Sequence, residues 1–267
     1  EANSTYLLFG LALILVSLAF KVGAVPLHLW IPDVYQGSPT PTTSFLSIAS
    51  KASGFAISLR VLEPFLNSPV THDKTVAILS ILAGATILVG NLAAIAQTNF
   101  KRLLAYSSIA NAGFILLALA AWDKGSDLAS AQIVGFYLAI YLIMTFAAFF
   151  ILSTIHRNTG SEEISAFEGL GGRNPFLALM TTIVMAAMAG VPLTAGFYGK
   201  FLAFEAAVQA NLWVPISIGF IGVAAGFYYY FQIIRAMYWR KSLDESPIKL
   251  RPLSRYVLIT LTSLLII

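Results

Sequence analysis

Long apolar stretches alternate with short polar connections along almost the whole chain. Eight of these stretches are predicted to form membrane-spanning helices: seven have the length of about 20 mostly apolar residues that a bilayer requires, and the eighth, from residue 255, is truncated. Strands are not expected, since the stretches lack the period-2 alternation of membrane barrel strands. The pattern predicts an all-α polytopic membrane protein with a single transmembrane domain over residues 1–267. The predicted helices are 5–29, 43–66, 75–97, 103–121, 131–155, 176–209, 212–238 and 255–267.

Composition and missing motifs narrow the possible function classes. Of the 267 residues, 58% are apolar and only 10% are charged, whereas a soluble domain carries about 25% charged residues. The chain has no cysteine and no GxGxxG fingerprint, which argues against disulfides, iron–sulfur ligands and nucleotide binding. Its three histidines, His28, His72 and His156, lie far apart in sequence. We therefore expect no metal, no cofactor and no catalytic redox residue in this chain.

The two ends of the sequence indicate an internal piece of a longer protein. The first residue is a glutamate, and no basic segment precedes the first apolar stretch, so a signal peptide is not expected. The last apolar stretch, 256–267, stops in the middle of what should be a span.

Lysine and arginine are divided unequally between the two sets of connections. Nine follow the third, fifth and seventh predicted helices, and two lie on the opposite side. Because cytoplasmic connections carry an excess of these cations, the first set is predicted to face the cytoplasm or its equivalent. The first set is Lys101, Arg102, Arg157, Arg173, Arg240, Lys241, Lys249, Arg251 and Arg255, and the second is Lys74 and Lys124.

Three lysines, Lys21, Lys51 and Lys200, lie inside predicted spans. Each would cost about 2.5–3.5 kcal/mol at the bilayer centre if it stayed charged. Burial disfavours the charged form of a lysine, so such a residue can take up and release a proton, whereas arginine stays protonated. The residues therefore predict a proton path. Snorkelling of the amines to the headgroups is the alternative.

Two of the predicted helices are interrupted by proline in a similar way. Pro26 lies five residues after Lys21, and Pro192 lies eight residues before Lys200. Proline removes a backbone donor and clashes with the preceding turn, so both helices should break there. Broken helices in corresponding parts of a transporter indicate a site near the middle of the membrane.

Other polar residues in the spans are less specific. His28 could pass a proton or be a hydrogen-bonded core histidine, and Glu205 could be an entry group or an interfacial residue. The aromatic run 228–231 is assigned to packing. Small polar side chains that could hold water, or simply join helices, are Ser44, Ser47, Ser50, Ser53, Asn91, Ser107, Ser108, Asn111, Thr145, Thr181 and Thr182.

Four segments resemble a known family. They are FKVGAVPLHLWIPDVYQGSPTPTTSFLSIASK (Phe20–Lys51), NFKRLLAYSSIANAGF (Asn99–Phe114), GVPLTAGFYGKF (Gly190–Phe201) and YYYFQIIRAMY (Tyr228–Tyr238). In order and spacing they resemble the antiporter-like membrane subunits of respiratory complex I, NADH-quinone oxidoreductase. The resemblance is closest to subunit N, which corresponds to subunit 2 in mitochondria and has a counterpart in the plastid enzyme.

The resemblance implies the C-terminal part of a 14-helix fold with inverted repeats. Lys21 would then be the lysine of the first broken helix, Lys51 a bridging lysine and Lys200 the lysine of the second broken helix. A glutamate on an earlier helix, absent from this chain, would pair with Lys21. The parent complex would hold FMN, iron–sulfur clusters, NADH and quinone in other subunits.

The function implied is proton translocation by a membrane-arm subunit of complex I, among other membrane-arm subunits and without nucleic acid. A subunit of a multisubunit sodium/proton antiporter or of a membrane-bound hydrogenase is the alternative, and a structural scaffold is a third. Few carboxylates lie within the spans, which disfavours sodium transport. The expected location is the bacterial plasma membrane, with the mitochondrial inner and thylakoid membranes as alternatives.

Overall fold

The computed structural model describes residues 2–122, 129–242 and 246–266. Within these residues the chain forms eleven α-helices and one short 3₁₀ helix, and it has no sheet. The helices are α1 (Ala2–Val22), α2 (Trp30–Gly37), α3 (Thr40–Asn67), α4 (His72–Ile95), α5 (Phe100–Ala120), α6 (Ser130–Thr159), α7 (Leu170–Arg173), α8 (Pro175–Ala189), α9 (Ala195–Gln209), α10 (Trp213–Trp239) and α11 (Pro252–Ser263).

Helix α5 forms the centre of the bundle. It packs against α2, α4, α6 and α9, and nearly all of its residues are buried. Its contact with α4 is very close, because a methyl group added to Gly90 would come within 2.6 Å of the backbone nitrogen of Ala110. Gly113 faces the backbone of α4 in the same way. Small residues at such an interface let two membrane helices approach through their backbones.

Five helices in the described residues, α3, α4, α5, α6 and α10, are long and apolar enough to cross a membrane. Shorter apolar helices cover Tyr6–Val22 and Pro175–Ala189. These shorter helices, α1 and α8, are the ones that a proline break interrupts. Helices α2 and α9 continue them after the breaks.

The first predicted span, 5–29, is wrong at its end, because α1 stops at Val22. Gly23 follows with a φ of +76°, a left-handed conformation that glycine adopts without steric penalty. Pro26 cannot continue the helical ladder because it has no N–H. The chain resumes as α2, a short helix with one buried face, in a segment that the sequence pattern predicts to be a connection.

The sixth predicted span, 176–209, is likewise two helices, and the break lies where Pro192 predicts it. Helix α8 ends at Ala189, Gly190 takes a φ of +87°, and α9 begins at Ala195. The end of the chain covers this break, since Ala195 N donates to the carbonyl of Leu265 at 2.9 Å.

The polar connections meet at one end of the bundle. Arg102 forms an ion pair with Asp33 at 2.8 Å, and Arg240 forms one with Glu168 at 3.2 Å. The connections before α3, α5 and α7 and after α10 therefore lie side by side. These are the connections that the cation distribution assigns to one face of the membrane. On the other side, Lys124 lies outside the described residues.

Candidate functional site

Lys51 occupies the break between α1 and α2. Its side chain is only 2% exposed, and its Nζ donates to the carbonyl of Val22 at 2.9 Å. In an uninterrupted helix this carbonyl would accept from the N–H four residues later. That residue is Pro26, which has no N–H. Proline therefore leaves an acceptor inside the protein, and an amine from α3 uses it.

Lys200 has the same arrangement at the second break. Its Nζ donates to the carbonyls of Met188 and Ala189, both at 2.9 Å, and the residue is 7% exposed. The position four residues after Met188 is Pro192, again without an N–H. The amine also lies 5.5 Å from the centre of the Phe114 ring on α5, close enough for a cation–π contact.

Both lysines thus bind the carboxyl end of a half-helix that belongs to another segment. Such an end carries a partial negative charge, which favours the ammonium form of a nearby amine. No carboxylate among the described residues lies within ion-pair distance of Lys51 or Lys200. Burial disfavours the charged form of each amine, whereas the carbonyls stabilise it. Because no carboxylate holds the amines in the charged form, the arrangement is chemically able to bind and release a proton.

Lys21 differs from expectation. Its side chain is exposed on the surface of the described chain, although it is the residue before Val22 at the end of α1. Successive helical residues point about 100° apart, and Val22 already faces the core, so Lys21 is turned away from it. The structure therefore brings Lys51, not Lys21, to the carbonyl of the first break.

His28 and Glu205 lie at the edges of this arrangement. His28 is buried within the break, and its Nδ1 makes no hydrogen bond of normal geometry with the described residues. Glu205 is half-buried on α9 and lines a cavity of about 670 Å³ together with Lys200 and Pro192. The other walls are mostly aromatic, from Phe197, Phe201, Phe204, Phe220 and Phe227.

A row of hydroxyl and amide groups passes beside α5 in the core. The Tyr137 hydroxyl donates to Asn111 Oδ1 at 2.9 Å, and the Asn111 amide donates to the carbonyl of Ser107 at 2.9 Å. The Ser107 hydroxyl is hydrogen-bonded to that of Tyr230. All four residues are buried. The Tyr137 ring also packs against Gly199, the neighbour of Lys200, so this end of the row lies beside the helix that carries Lys200.

Ser108, the next residue on α5, belongs to a second hydrogen-bonded group on the side of the first lysine site, and no hydrogen bond among the described residues joins it to the first group. It accepts from the Tyr141 hydroxyl at 2.8 Å, and its Oγ lies 3.3 Å from the Tyr35 hydroxyl. Tyr35 also lies beside Ser47, which is one helical turn before Lys51 on α3. Two separate hydrogen-bonded groups, together called the hydroxyl row below, thus lie between the helix of Lys51 and the helix of Lys200.

The sequence pattern predicts the serines and asparagines of this row as polar groups within the spans, but it does not predict its tyrosines. Tyr229 and Tyr230 were assigned to packing, whereas the Tyr229 hydroxyl donates to Asn91 at 3.1 Å. A usable signal was present, because Tyr137 and Tyr141 are four residues apart on one face of a spanning helix. Buried tyrosine hydroxyls normally find a partner.

Lys101 was also misjudged, as a surface cation that reports orientation only. It is 3% exposed, its Nζ lies 2.6 Å from Glu162 Oε1, and it donates to the carbonyl of Ser38 at 3.0 Å. Thr40 Oγ1 donates to the same carboxylate at 3.4 Å. The ion pair joins the start of α5 to the connection after α6, and the bonds to Ser38 and Thr40 hold both partners against the junction of α2 and α3, just after Tyr35.

The chain is similar in sequence to proteins of a known family. The family described as NADH:quinone oxidoreductase/Mrp antiporter, TM matches residues 1–226. The chain is 39% identical over 276 residues to NADH-quinone oxidoreductase subunit N 1 of Roseiflexus castenholzii (strain DSM 13941 / HLO8), an alignment that covers 100% of this chain and 51% of the relative. The chain spans about half the length of the curated relatives it matches.

Solved structures show the same fold. A chain of respiratory complex I from Thermus thermophilus with bound aureothin matches with a TM-score of 0.80 and 38% identity, over 96% of this chain and 55% of that chain. A chain of the membrane-bound sulfane sulfur reductase, an archaeal respiratory membrane complex, matches with a TM-score of 0.87 and 32% identity, over 98% and 52%. The predicted antiporter-like helical bundle is confirmed. The chain is an integral membrane protein and belongs to the NADH:quinone oxidoreductase/Mrp antiporter transmembrane family.

Proposed function

We propose that this chain translocates protons as part of a membrane-arm subunit of NADH-quinone oxidoreductase. The observation that carries the proposal is the pair of buried amines, Lys51 and Lys200, each held by a carbonyl that a proline has freed. A scaffold would gain little from two buried cations without counter-charges, since each is costly at membrane depth.

The hydroxyl row between the lysines suits transfer of protons. A hydroxyl can donate one hydrogen bond while accepting another, so a proton can enter at one end of the row as another leaves. In the proposed cycle Lys51 and Lys200 exchange protons through the hydroxyls of Tyr35, Ser108 and Tyr137, with internal water where the row is open. A change of charge outside the row shifts which amine holds the proton.

Lys21, His28 and Glu205 would complete the route. Lys21 is exposed on the described chain, so its carboxylate partner would come from the part of the longer protein that this chain lacks. His28 would relay a proton within the first break. Glu205 shares its cavity with Lys200 and would exchange protons with one side of the membrane.

Electron transfer would take place in other subunits of the complex. FMN, iron–sulfur clusters, NADH and quinone would be bound there, and this chain would contribute only the coupled proton path. Its partners would be other membrane-arm subunits, and its membrane the bacterial plasma membrane. The match to an archaeal sulfane sulfur reductase complex favours a second candidate, a related ion-translocating subunit of another respiratory complex.

The test uses the full-length subunit in its assembled complex. Proton pumping driven by NADH would be measured in inverted membrane vesicles for Lys51→Met and Lys200→Met. Lys74→Met, an exposed lysine at the opposite end of the bundle, is the matched control. We expect both buried variants to assemble and to lose pumping, while the control pumps normally. Normal pumping by both buried variants would refute the proposal.

A further inference from the structure

A cationic hollow lies at the polar end of α6, apart from the lysine sites. It has a volume of about 300 Å³ and is lined by Arg157, Lys249 and Arg251, with Asn158 and Ser254 between them. Arg157 lies in the last turn of α6, Lys249 and Arg251 belong to the connection between α10 and α11, and Ser254 lies in the first turn of α11. Three cations from two distant segments therefore converge on one small volume.

The hollow is held in shape by hydrogen bonds to the backbone of the connection. The Asn158 amide donates to the carbonyl of Lys249 at 3.3 Å, and Lys249 N donates to Asn158 Oδ1 at 3.1 Å. Asn174 Nδ2 donates to the carbonyl of Ile248 at 2.9 Å, and Ile248 is buried. Residues 248 and 249 are thus held against α6 and the start of α8, while the side chains of Lys249 and Arg251 remain exposed.

The cations of the hollow have no counter-charge among the described residues. None of the three forms an ion pair with a described carboxylate. At this end of the bundle Asp33, Glu162 and Glu168 pair with other cations, and Glu163 accepts from the Asn99 amide. Asp244 and Glu245, in the same connection, lie outside the described residues. An anion with several acceptor oxygens would satisfy these groups, and arginine is well suited to phosphate.

A separate apolar groove lies further along α6, towards the middle of the bundle. It has a volume of about 490 Å³ between α3 and α6 and is lined by Phe45, Phe146, Phe150 and Ser153 among others. Arg157 follows Ser153 by one helical turn, so it stands on the same face of α6 as the groove. Tyr256, at the start of α11 beside the hollow, is 70% exposed, as expected for an aromatic residue at a membrane interface.

We propose that the hollow and the groove together bind an anionic phospholipid. The phosphate would contact Arg157, Lys249 and Arg251, and an acyl chain would lie along Phe146 and Phe150. The position of an apolar groove one helical turn from a cationic cluster on α6 favours a lipid over free phosphate, because a small soluble anion would leave the groove unfilled. Basic pockets at the cytoplasmic ends of membrane helices are suited to anionic headgroups.

The test is native mass spectrometry of the full-length protein in detergent, titrated with phosphatidylglycerol and separately with phosphatidylcholine. Arg157→Gln/Arg251→Gln removes two cations from the hollow. Arg60→Gln/Lys74→Gln removes two exposed cations from the opposite end and is the matched control. At about 1 kcal/mol for each cation near the headgroups, we expect the hollow variant to bind phosphatidylglycerol about 30-fold more weakly. The control should bind it normally, and phosphatidylcholine should bind weakly to all variants.

Two further measurements distinguish a phospholipid from free phosphate in the hollow. Ala49→Trp, which fills the groove but keeps every cation, should also weaken phosphatidylglycerol binding. Displacement of the lipid by millimolar inorganic phosphate would show a site for free phosphate instead. Three results would each overturn the proposal. The hollow variant could bind phosphatidylglycerol as well as the unmodified protein does, or the control variant could lose as much binding as the hollow variant. The protein could also bind no lipid because another part of it covers the groove.

Discussion

The buried ion pair of Lys101 and Glu162 provides a quantitative test of how this bundle is held together. The two side chains are 4% and 19% exposed, and their charged atoms are 2.6 Å apart. Removing one partner of a buried pair typically costs about 3–5 kcal/mol, because the other charge stays buried without compensation. Glu162 retains some solvent and a bond from Thr40. We therefore expect Lys101→Met to lower the free energy of unfolding by about 2–3 kcal/mol.

The double variant separates the ion pair from general packing. Replacing both partners, as in Lys101→Met/Glu162→Met, leaves neither charge uncompensated, so its cost should be smaller than the sum of the two single changes. We expect a coupling of at least about 1.5 kcal/mol between the two positions, a size typical of residues in contact. The assay is equilibrium unfolding in mixed micelles, with Arg102→Met as the control for the neighbouring exposed pair, where the loss should be at most about 1 kcal/mol.

The ion pair also fixes the junction of α2 and α3, so its loss should reach the hydroxyl row through Tyr35. Lys101→Met is expected to reduce proton pumping in the assembled complex, because it removes the bond from the amine to the carbonyl of Ser38 at this junction. Two results would refute this reasoning. The stability losses of the two single variants could add up to that of the double variant, or Lys101→Met could be as stable as the unmodified protein.

The other predictions concern the second lysine site and its surroundings. Lys200→Arg keeps a positive charge that does not leave the side chain, so pumping should fall at least about tenfold while the assembled complex, measured by native gel, stays at its normal level. Pro192→Ala supplies the missing N–H, which competes with the Lys200 amine for the carbonyl of Met188 at the end of α8. Pumping should therefore fall, while the thermal stability of the subunit is kept or raised. Tyr137→Phe removes one hydroxyl of the row at a cost of about 0.5–1.5 kcal/mol in unfolding, and pumping should fall by more than the stability loss explains. Gly196→Ala would drive a methyl group into the carbonyl of Ala187, so α8 and α9 should separate and the yield of folded protein, measured by size-exclusion chromatography, should drop.

The sequence was sufficient for those parts of the fold that depend on local chemistry. Apolar length located the spans, and proline located both breaks, since the missing N–H at Pro26 and Pro192 acts within its own helix. The resemblance to complex I subunits, which rested on long motifs, was confirmed. The sequence could also place Lys51 and Lys200 inside the bundle, because neither lies near a helix end that reaches water.

What the sequence could not show depends on contacts between distant segments. Lys21 and Lys51 are equally deep by position, yet only Lys51 faces the core, because the rotation of α1 is set by packing against α3. Lys101 looked like a surface cation because its partner lies 61 residues further along the chain. The tyrosines of α6 and α10 looked apolar because their hydroxyl partners belong to α4 and α5.

The freed carbonyls at the two breaks have a consequence for genetics. Each acceptor is a main-chain atom, so a substitution at Val22 or Met188 leaves it in place. A saturating screen for inactive variants should therefore find the amine donor and the proline, while the residues that own the acceptors tolerate most apolar replacements. The accepting carbonyl of each contact is therefore not removed by a point mutation, whereas the lysine that donates to it is.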